Sequence, residues 1–112
     1  MKQRDIEQLT KIIEYCDVIN NTIQRYGDEI EIFSKDIDYQ NSVSFSIMQI
    51  GEISRAISDE FKSTTEEEQS WKAIRGMRNL FAHAYGTMSM ETIWNTAIHD
   101  IPKLKQFCIR YI

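Results

Sequence analysis

The sequence predicts an all-α fold, an antiparallel bundle of four to five helices, and three observations support it. Apolar residues recur at spacings of three and four along most of the chain, which is the period of an α-helix and not of a strand. The 112 residues include one proline and four glycines, so few positions interrupt a helix. Short polar connections separate the apolar stripes, and short connections join antiparallel neighbours. With 42% apolar residues, we expect one domain over residues 1–112.

The first predicted helix carries a single apolar stripe and ends at a glycine. Gly27 directly follows the stripe, and glycine is common just past a helix C-terminus. The stripe consists of Leu9, Ile12, Cys16, Ile19, Ile23 and Tyr26.

The second predicted helix begins near Ser34 or Asp36, either of which can cap it, and extends to about Phe61. Its apolar residues cover so much of its circumference that we expect burial on two sides, against its own bundle and against a second subunit. Gly51 lies in mid-helix and is about 1 kcal/mol less favourable there than alanine, which suggests a close backbone approach. The stripe is Val43, Ile47, Ile50, Ile57 and Phe61, and the other sides carry Phe45, Met48 and Ile53.

A polar segment from Ser58 to Ser70 is expected to be a loop or short turn. Thr64 and Glu67 have the spacing of a capping box, and Ser70 before the next apolar residue is an equally good helix start. The third predicted helix follows, and its buried residues are Trp71, Ile74, Met77 and Phe81.

The last apolar stripe keeps its helical spacing through Pro102, so a kinked single helix and two shorter helices fit alike. Ser89 is the expected N-cap. The stripe is Met90, Trp94, Ala97, Ile101, Leu104, Cys108 and Tyr111.

Composition restricts the possible functions. The longest apolar runs are too short to span a membrane and the N-terminus lacks a secretion signal, so we expect a cytoplasmic protein. Cys16 and Cys108 lie in apolar stripes and fit buried thiols of a reducing compartment. Neither histidine has metal-ligand spacing with the other or with a cysteine, so we expect no metal and no cofactor.

Charge also limits the possible partners. The net charge of −4 repels nucleic acid, so any RNA contact must come from a local basic surface. Lys72, Arg75 and Arg78 recur every three residues along one side of a helix and are candidates for that surface, although solvated surface charge is the simpler interpretation of the first two.

The segment whose side chains are best suited to catalysis is residues 78–85, RNLFAHAY. Arg78 offers a planar fork of donors that matches phosphate oxygens, and His83 can exchange a proton near neutral pH. On a continuous helix the two side chains would diverge by roughly 140°, so the helix must end near them. Gly86 allows the chain to turn there. A histidine that only caps the helix C-terminus is the alternative interpretation of His83.

These residues resemble the R-x4-H-x-Y motif of the HepT-like toxins, members of the HEPN superfamily of ribonucleases. The resemblance covers nearly the whole chain, since three further segments match the family pattern in order: residues 50–52 (IGE), residues 71–74 (WKAI), and residues 93–94 (IW) with 100–102 (DIP). It implies a HEPN-like homodimer that cleaves RNA without metal, as the toxin of a type VII toxin-antitoxin pair.

The resemblance also implies roles for the motif residues. In such a cut the ribose 2′-hydroxyl attacks its own phosphate, so His83 would move the proton and Arg78 would neutralise the pentavalent oxyanion. Asn79 would orient the phosphate or the imidazole, and a solvated helical asparagine is the alternative interpretation. Tyr85 would be modified with AMP by a minimal nucleotidyltransferase antitoxin, which silences the toxin. A tyrosine packed at the helix end is the alternative interpretation of Tyr85. Glu52 would either pair with an arginine near the cleft or make a structural hydrogen bond.

A second function remains open from the sequence. The chain could be a noncatalytic helical binding subunit of a two-component nucleotidyltransferase, contributing only part of a nucleotide or partner surface. In that case expression without the partner would leave growth unaffected, whereas a toxin would arrest it.

Overall fold

The fold is an all-α bundle, described by a computed structural model over residues 2–112, apart from the side chain of Ala84. No strand occurs in that part of the chain. A 3₁₀ turn (Tyr85–Thr87) follows α5, and a π-helical turn (Thr96–Asp100) joins α6 to α7. The helices are α1 (Gln3–Tyr26), α2 (Ile30–Lys35), α3 (Ile37–Ser54), α4 (Asp59–Thr64), α5 (Trp71–Ala84), α6 (Met90–Asn95) and α7 (Ile101–Ile109).

The first predicted helix is confirmed as α1. It ends at Gly27, whose φ of 122° lies in the region that favours glycine. The Gly27 carbonyl accepts a hydrogen bond from the Tyr39 hydroxyl at 3.0 Å, and Tyr26 stacks on the Tyr39 ring. The end of α1 is thereby joined to the start of α3. Leu9, Ile12, Cys16, Ile19 and Ile23 are buried.

The second predicted helix begins at an expected residue but ends earlier in the chain than predicted. Asp36 caps α3 by accepting from the Tyr39 N–H at 3.1 Å, but α3 stops at Ser54 and not near Phe61. Ser58 is extended, because its N–H and hydroxyl donate to the carboxylate of the buried Asp5 at 2.7 and 2.6 Å.

A new helix, α4, then starts at Asp59 and buries Phe61. The Ser58 hydroxyl accepts from the Phe61 N–H at 3.2 Å, which caps this helix. The short α2, which buries Phe33, has no counterpart among the predicted helices.

The remaining caps distinguish between the alternatives left open by the sequence. Ser70 caps α5 by accepting from the Ala73 N–H at 3.3 Å, whereas Thr64 is the last residue of α4, so the capping-box interpretation was wrong. Ser89 caps α6 as predicted.

The chain from α6 through the π-helical turn to α7 is one continuous helical segment. Helical dihedral angles persist at Thr96 and Ile101. The Ile101 N–H donates to the Thr96 carbonyl five residues earlier. This wider turn lies directly before Pro102, which has no N–H to donate. Of the two alternatives, the single helix is therefore the one observed, with a wider turn before Pro102.

The packing places α3 at the centre of the bundle. It lies between α1 and α5, and α1 also packs against α7. Two aromatic clusters fill the ends of the core: Phe33, Tyr39 and Trp94 at one, and Phe61, Trp71, Phe107 and Tyr111 at the other. None of the helices in residues 2–112 has both the length and the apolar character needed to cross a bilayer.

Candidate functional site

The four predicted site residues lie on the last two turns of α5 and the 3₁₀ turn after it. α5 ends at Ala84, one residue past His83, so the prediction that a helix ends beside the histidine is confirmed. Arg78 and His83 nevertheless share one continuous helix, and helical geometry directs them about 140° apart. One protomer therefore presents the two side chains on different sides of α5.

Arg78 is positioned by the close packing of α5 on α3. A Cβ added at Gly51 would lie 2.6 Å from the Arg78 backbone N and 2.9 Å from the Ile74 carbonyl oxygen. Only glycine allows the two backbones to approach so closely, which confirms the expectation for Gly51. The contact brings residue 52 of α3 beside Arg78.

The guanidinium of Arg78 is oriented by two neighbours. Its Nε lies 3.3 Å from Glu52 Oε2, and its Nη1 donates to Asn79 Oδ1 at 3.2 Å. Glu52 Oε1 lies 3.4 Å from Nη1 of Arg55. Of the two roles considered for Glu52, the pairing with an arginine is the one observed. The Arg78 side chain is 40% exposed, so it remains accessible while it is held.

His83 and Tyr85 differ in their surroundings. The His83 side chain is exposed. Tyr85 is half-buried, and its hydroxyl donates to Asn41 Oδ1 of α3 at 3.1 Å. The Tyr85 hydroxyl is therefore fixed against α3 beside a surface hollow of about 250 Å³, lined by Asn41, Ser44, Phe45, Met48, Phe81 and Tyr85.

Two contacts of the site were missed by sequence reasoning. Arg55 follows Glu52 by three residues, and that spacing of opposite charges on one helix face could have identified it. Asn41 lies 44 positions before Tyr85, and no local sequence signal joins them. In the part of the chain that the structure describes, no group of three or more histidine, cysteine or acidic residues could hold a metal ion.

Comparison with known proteins agrees with the earlier resemblance. The family model described as "Ribonuclease HepT-like" matches residues 6–111. The comparison with solved structures gave no significant match.

Several relatives carry the name "Putative RNase". One, from Methanocaldococcus jannaschii, is 29% identical over 102 residues, which cover 91% of this chain and 79% of the relative. A second from the same organism is 32% identical over 107 residues, covering 95% and 86%. A third, from Caldanaerobacter subterraneus subsp. tengcongensis, is 29% identical over 98 residues, covering 88% and 85%. Because the family model spans nearly the whole sequence, the chain belongs to the HepT-like ribonuclease family.

Proposed function

We propose that this chain is a metal-independent endoribonuclease and the toxin of a toxin-antitoxin pair, with Arg78 and His83 as its catalytic residues. The observation that carries the proposal is their placement: Arg78 is held by Glu52 and Asn79 but remains accessible, and His83 is exposed at the free end of the same helix. A cation held in place and an exposed imidazole, both near the same end of α5, suit cleavage of a phosphodiester once two protomers bring them together.

The proposed reaction uses the RNA itself as nucleophile. The ribose 2′-oxygen forms a bond to the adjacent phosphorus as His83 removes its proton, and the bond from phosphorus to the 5′-oxygen breaks. Arg78 stabilises the pentavalent oxyanion, and Asn79 holds the guanidinium in place. A protonated imidazole returns a proton to the leaving 5′-oxygen. The products are a 2′,3′-cyclic phosphate and a 5′-hydroxyl.

A homodimer is part of the proposal. Since Arg78 and His83 diverge on one helix, two protomers that face each other would bring two copies of each into one cleft. Phe45 beside the Tyr85 hollow is 53% exposed, and a second subunit that covers it would remove this apolar surface from water. The paired cations would also offset the net charge of −4 near the cleft.

Silencing by a nucleotidyltransferase antitoxin is the regulatory part of the proposal. The Tyr85 oxygen would bond to the α-phosphorus of ATP, losing its proton as pyrophosphate leaves. The added AMP brings negative charge and bulk two residues from His83, which would exclude RNA. Incubation with the antitoxin, ATP and Mg²⁺ should add the mass of one or more AMP groups. Tyr85→Phe should remove this gain, and Tyr111→Phe should keep it.

The nuclease is tested with purified protein and RNA in a metal chelator. The wild type should cut, and His83→Ala should lower the rate by about 10²–10⁴-fold, because proton transfer contributes this much. His99→Ala is the matched control, because His99 is also exposed and lies on the π-helical turn. If the folded His83→Ala variant cuts at the wild-type rate, His83 is not the catalyst. If the wild type neither cuts RNA nor arrests growth, the noncatalytic binding subunit is the better interpretation.

A further inference from the structure

We propose that one exposed face of α5 binds the phosphate backbone of a single-stranded RNA beside the linkage that is cut. This face, the α5 ridge, consists of Lys72, Arg75, Gly76 and Asn79. The inference rests on the proposed ribonuclease function and adds a binding site to it. The ridge would place the strand so that its scissile phosphate arrives at the end of α5.

Helical geometry places the ridge in line with the catalytic histidine. At 3.6 residues per turn, the four ridge residues and His83 fall within an arc of about 100°. All five are exposed. Arg78 lies roughly 60° beyond Arg75 around the helix, on the side that packs against α3. A strand that follows the ridge therefore runs directly to His83, while Arg78 lies on the neighbouring side of the helix, beyond Arg75.

The cations of the ridge are available for phosphate. Within residues 2–112, neither Lys72 nor Arg75 forms an ion pair, whereas Arg78 is held by Glu52. Lys72 shares a surface hollow of about 400 Å³ with Lys62 and with the carboxylates of Asp59 and Glu66. Since these acids offset the charge at that end, Arg75 is expected to be the stronger phosphate contact.

Gly76 gives an independent reason to expect a ligand on this face. Glycine is a poor helix former in mid-helix, and Gly51 has a packing reason because α5 approaches it. A Cβ added at Gly76 would meet nothing within 4 Å, so packing inside the chain does not require glycine there. A missing side chain between Lys72 and Asn79 leaves a shallow depression in the ridge. Close approach of a sugar-phosphate backbone to the helix would use this space.

The dimensions of the ridge fit a short stretch of one strand. From Lys72 to His83 the helix rises about 16 Å, at 1.5 Å per residue. This length corresponds to roughly five phosphates of a stacked strand at about 3.4 Å each. The ridge offers cations and an amide but no aromatic ring for base stacking, so it should bind RNA without reading its sequence.

The first test compares long and short substrates. Lys72→Gln/Arg75→Gln should lower kcat/KM for a decanucleotide by about tenfold more than for a dinucleotide, which has only the scissile phosphate. The matched control is Lys11→Gln/Arg25→Gln, which changes net charge equally at exposed positions of α1. It should act as wild type on both substrates. Equal losses on the two RNAs, or equal losses in the two double variants, would overturn the proposal.

Salt dependence gives a second measurement on a non-cleaving background. In His83→Ala protein, removal of the two cations should reduce the slope of log affinity against log salt by about 1.4 for a single strand, because each neutralised phosphate contributes about 0.7. The control pair should keep the full slope. Tighter binding of an RNA duplex than of the single strand would also contradict the proposal.

Gly76→Ala separates ligand contact from folding. The variant should melt at a higher temperature than the wild type and yet cut the decanucleotide more slowly. If Gly76→Ala instead changes the oligomeric state and leaves RNA affinity intact, the glycine serves contact between subunits and the ridge assignment is wrong. A wild type that cuts neither substrate would refute the proposed function itself, whereas normal cutting by the ridge variants refutes only the ridge.

Discussion

Two glycines, Gly51 in the last turn of α3 and Gly76 in the middle of α5, should respond in opposite ways to the same substitution. Gly51→Ala places a methyl group 2.6 Å from a backbone nitrogen and 2.9 Å from a carbonyl oxygen of α5. Ordinary non-bonded contacts are about 3.5–4.0 Å, so α5 must move by roughly 1 Å. Overpacking of this kind costs about 1–3 kcal/mol, and the rigid helical backbone favours the upper value. Alanine regains about 1 kcal/mol of helix propensity.

The expected net effect of Gly51→Ala is a loss of about 2 kcal/mol in the free energy of unfolding. For a chain of this size that lowers Tm by roughly 6–10 °C. Gly76→Ala is the matched control, because its new methyl group meets no atom within 4 Å and should stabilise by up to about 1 kcal/mol.

The assay is urea and thermal unfolding followed by circular dichroism, at one protein concentration for all variants. Shifts of equal sign and size in the two variants would refute the close packing of α3 on α5. Gly51→Ala should also slow RNA cleavage, since it displaces the backbone that carries Arg78.

Two further predictions concern buried polar groups. Burial raises the pKa of Asp5, but the hydrogen bonds from Ser58 outweigh it, so the pKa lies below its usual 3.8. The carboxylate therefore stabilises the fold above about pH 4 and loses this effect as pH falls through the lowered pKa. Asp5→Ala should lose about 2–4 kcal/mol in urea unfolding at pH 7, and a change as small as that of the exposed Glu7→Ala would contradict the assignment. Burial also raises the pKa values of Cys16 and Cys108 to about 12, so a thiol reagent at pH 8 should label them only after unfolding. Rapid labelling of the folded protein would refute their burial.

Local interactions explain which parts of the fold were predictable. The caps at Asp36, Ser70 and Ser89 each bond a backbone N–H three residues ahead, so all three were candidates from the sequence. Ser34 and Thr64 fitted the sequence equally well, and the structure decided against them. Gly27 ends α1 for an equally local reason, its positive φ. The helical period likewise identified most of the core, and the spacing from Arg78 to His83 identified the motif.

Contacts between distant residues explain what the pattern missed. The apolar stripe continues past Ser54 to Phe61, yet α3 ends at Ser54, and Ser58 is held in an extended conformation by its hydrogen bonds to a carboxylate 53 residues earlier in the chain. The spacing of apolar residues could not predict this hydrogen bond. In the sequence, Asp5 is indistinguishable from an ordinary acidic residue in the first turn of a helix.

The candidate site also has features that the sequence predicted and features that only the tertiary structure determined. Its residue types and their order along α5 follow from the sequence, because one helix carries them all. The tertiary structure alone determines how the arginine and the tyrosine are held: Glu52 reaches Arg78, and Asn41 reaches Tyr85, from α3. For Glu52 and Arg78 the physical reason is the absent side chain of Gly51, which lets the backbones of α3 and α5 approach until these two residues, far apart in sequence, come within bonding distance.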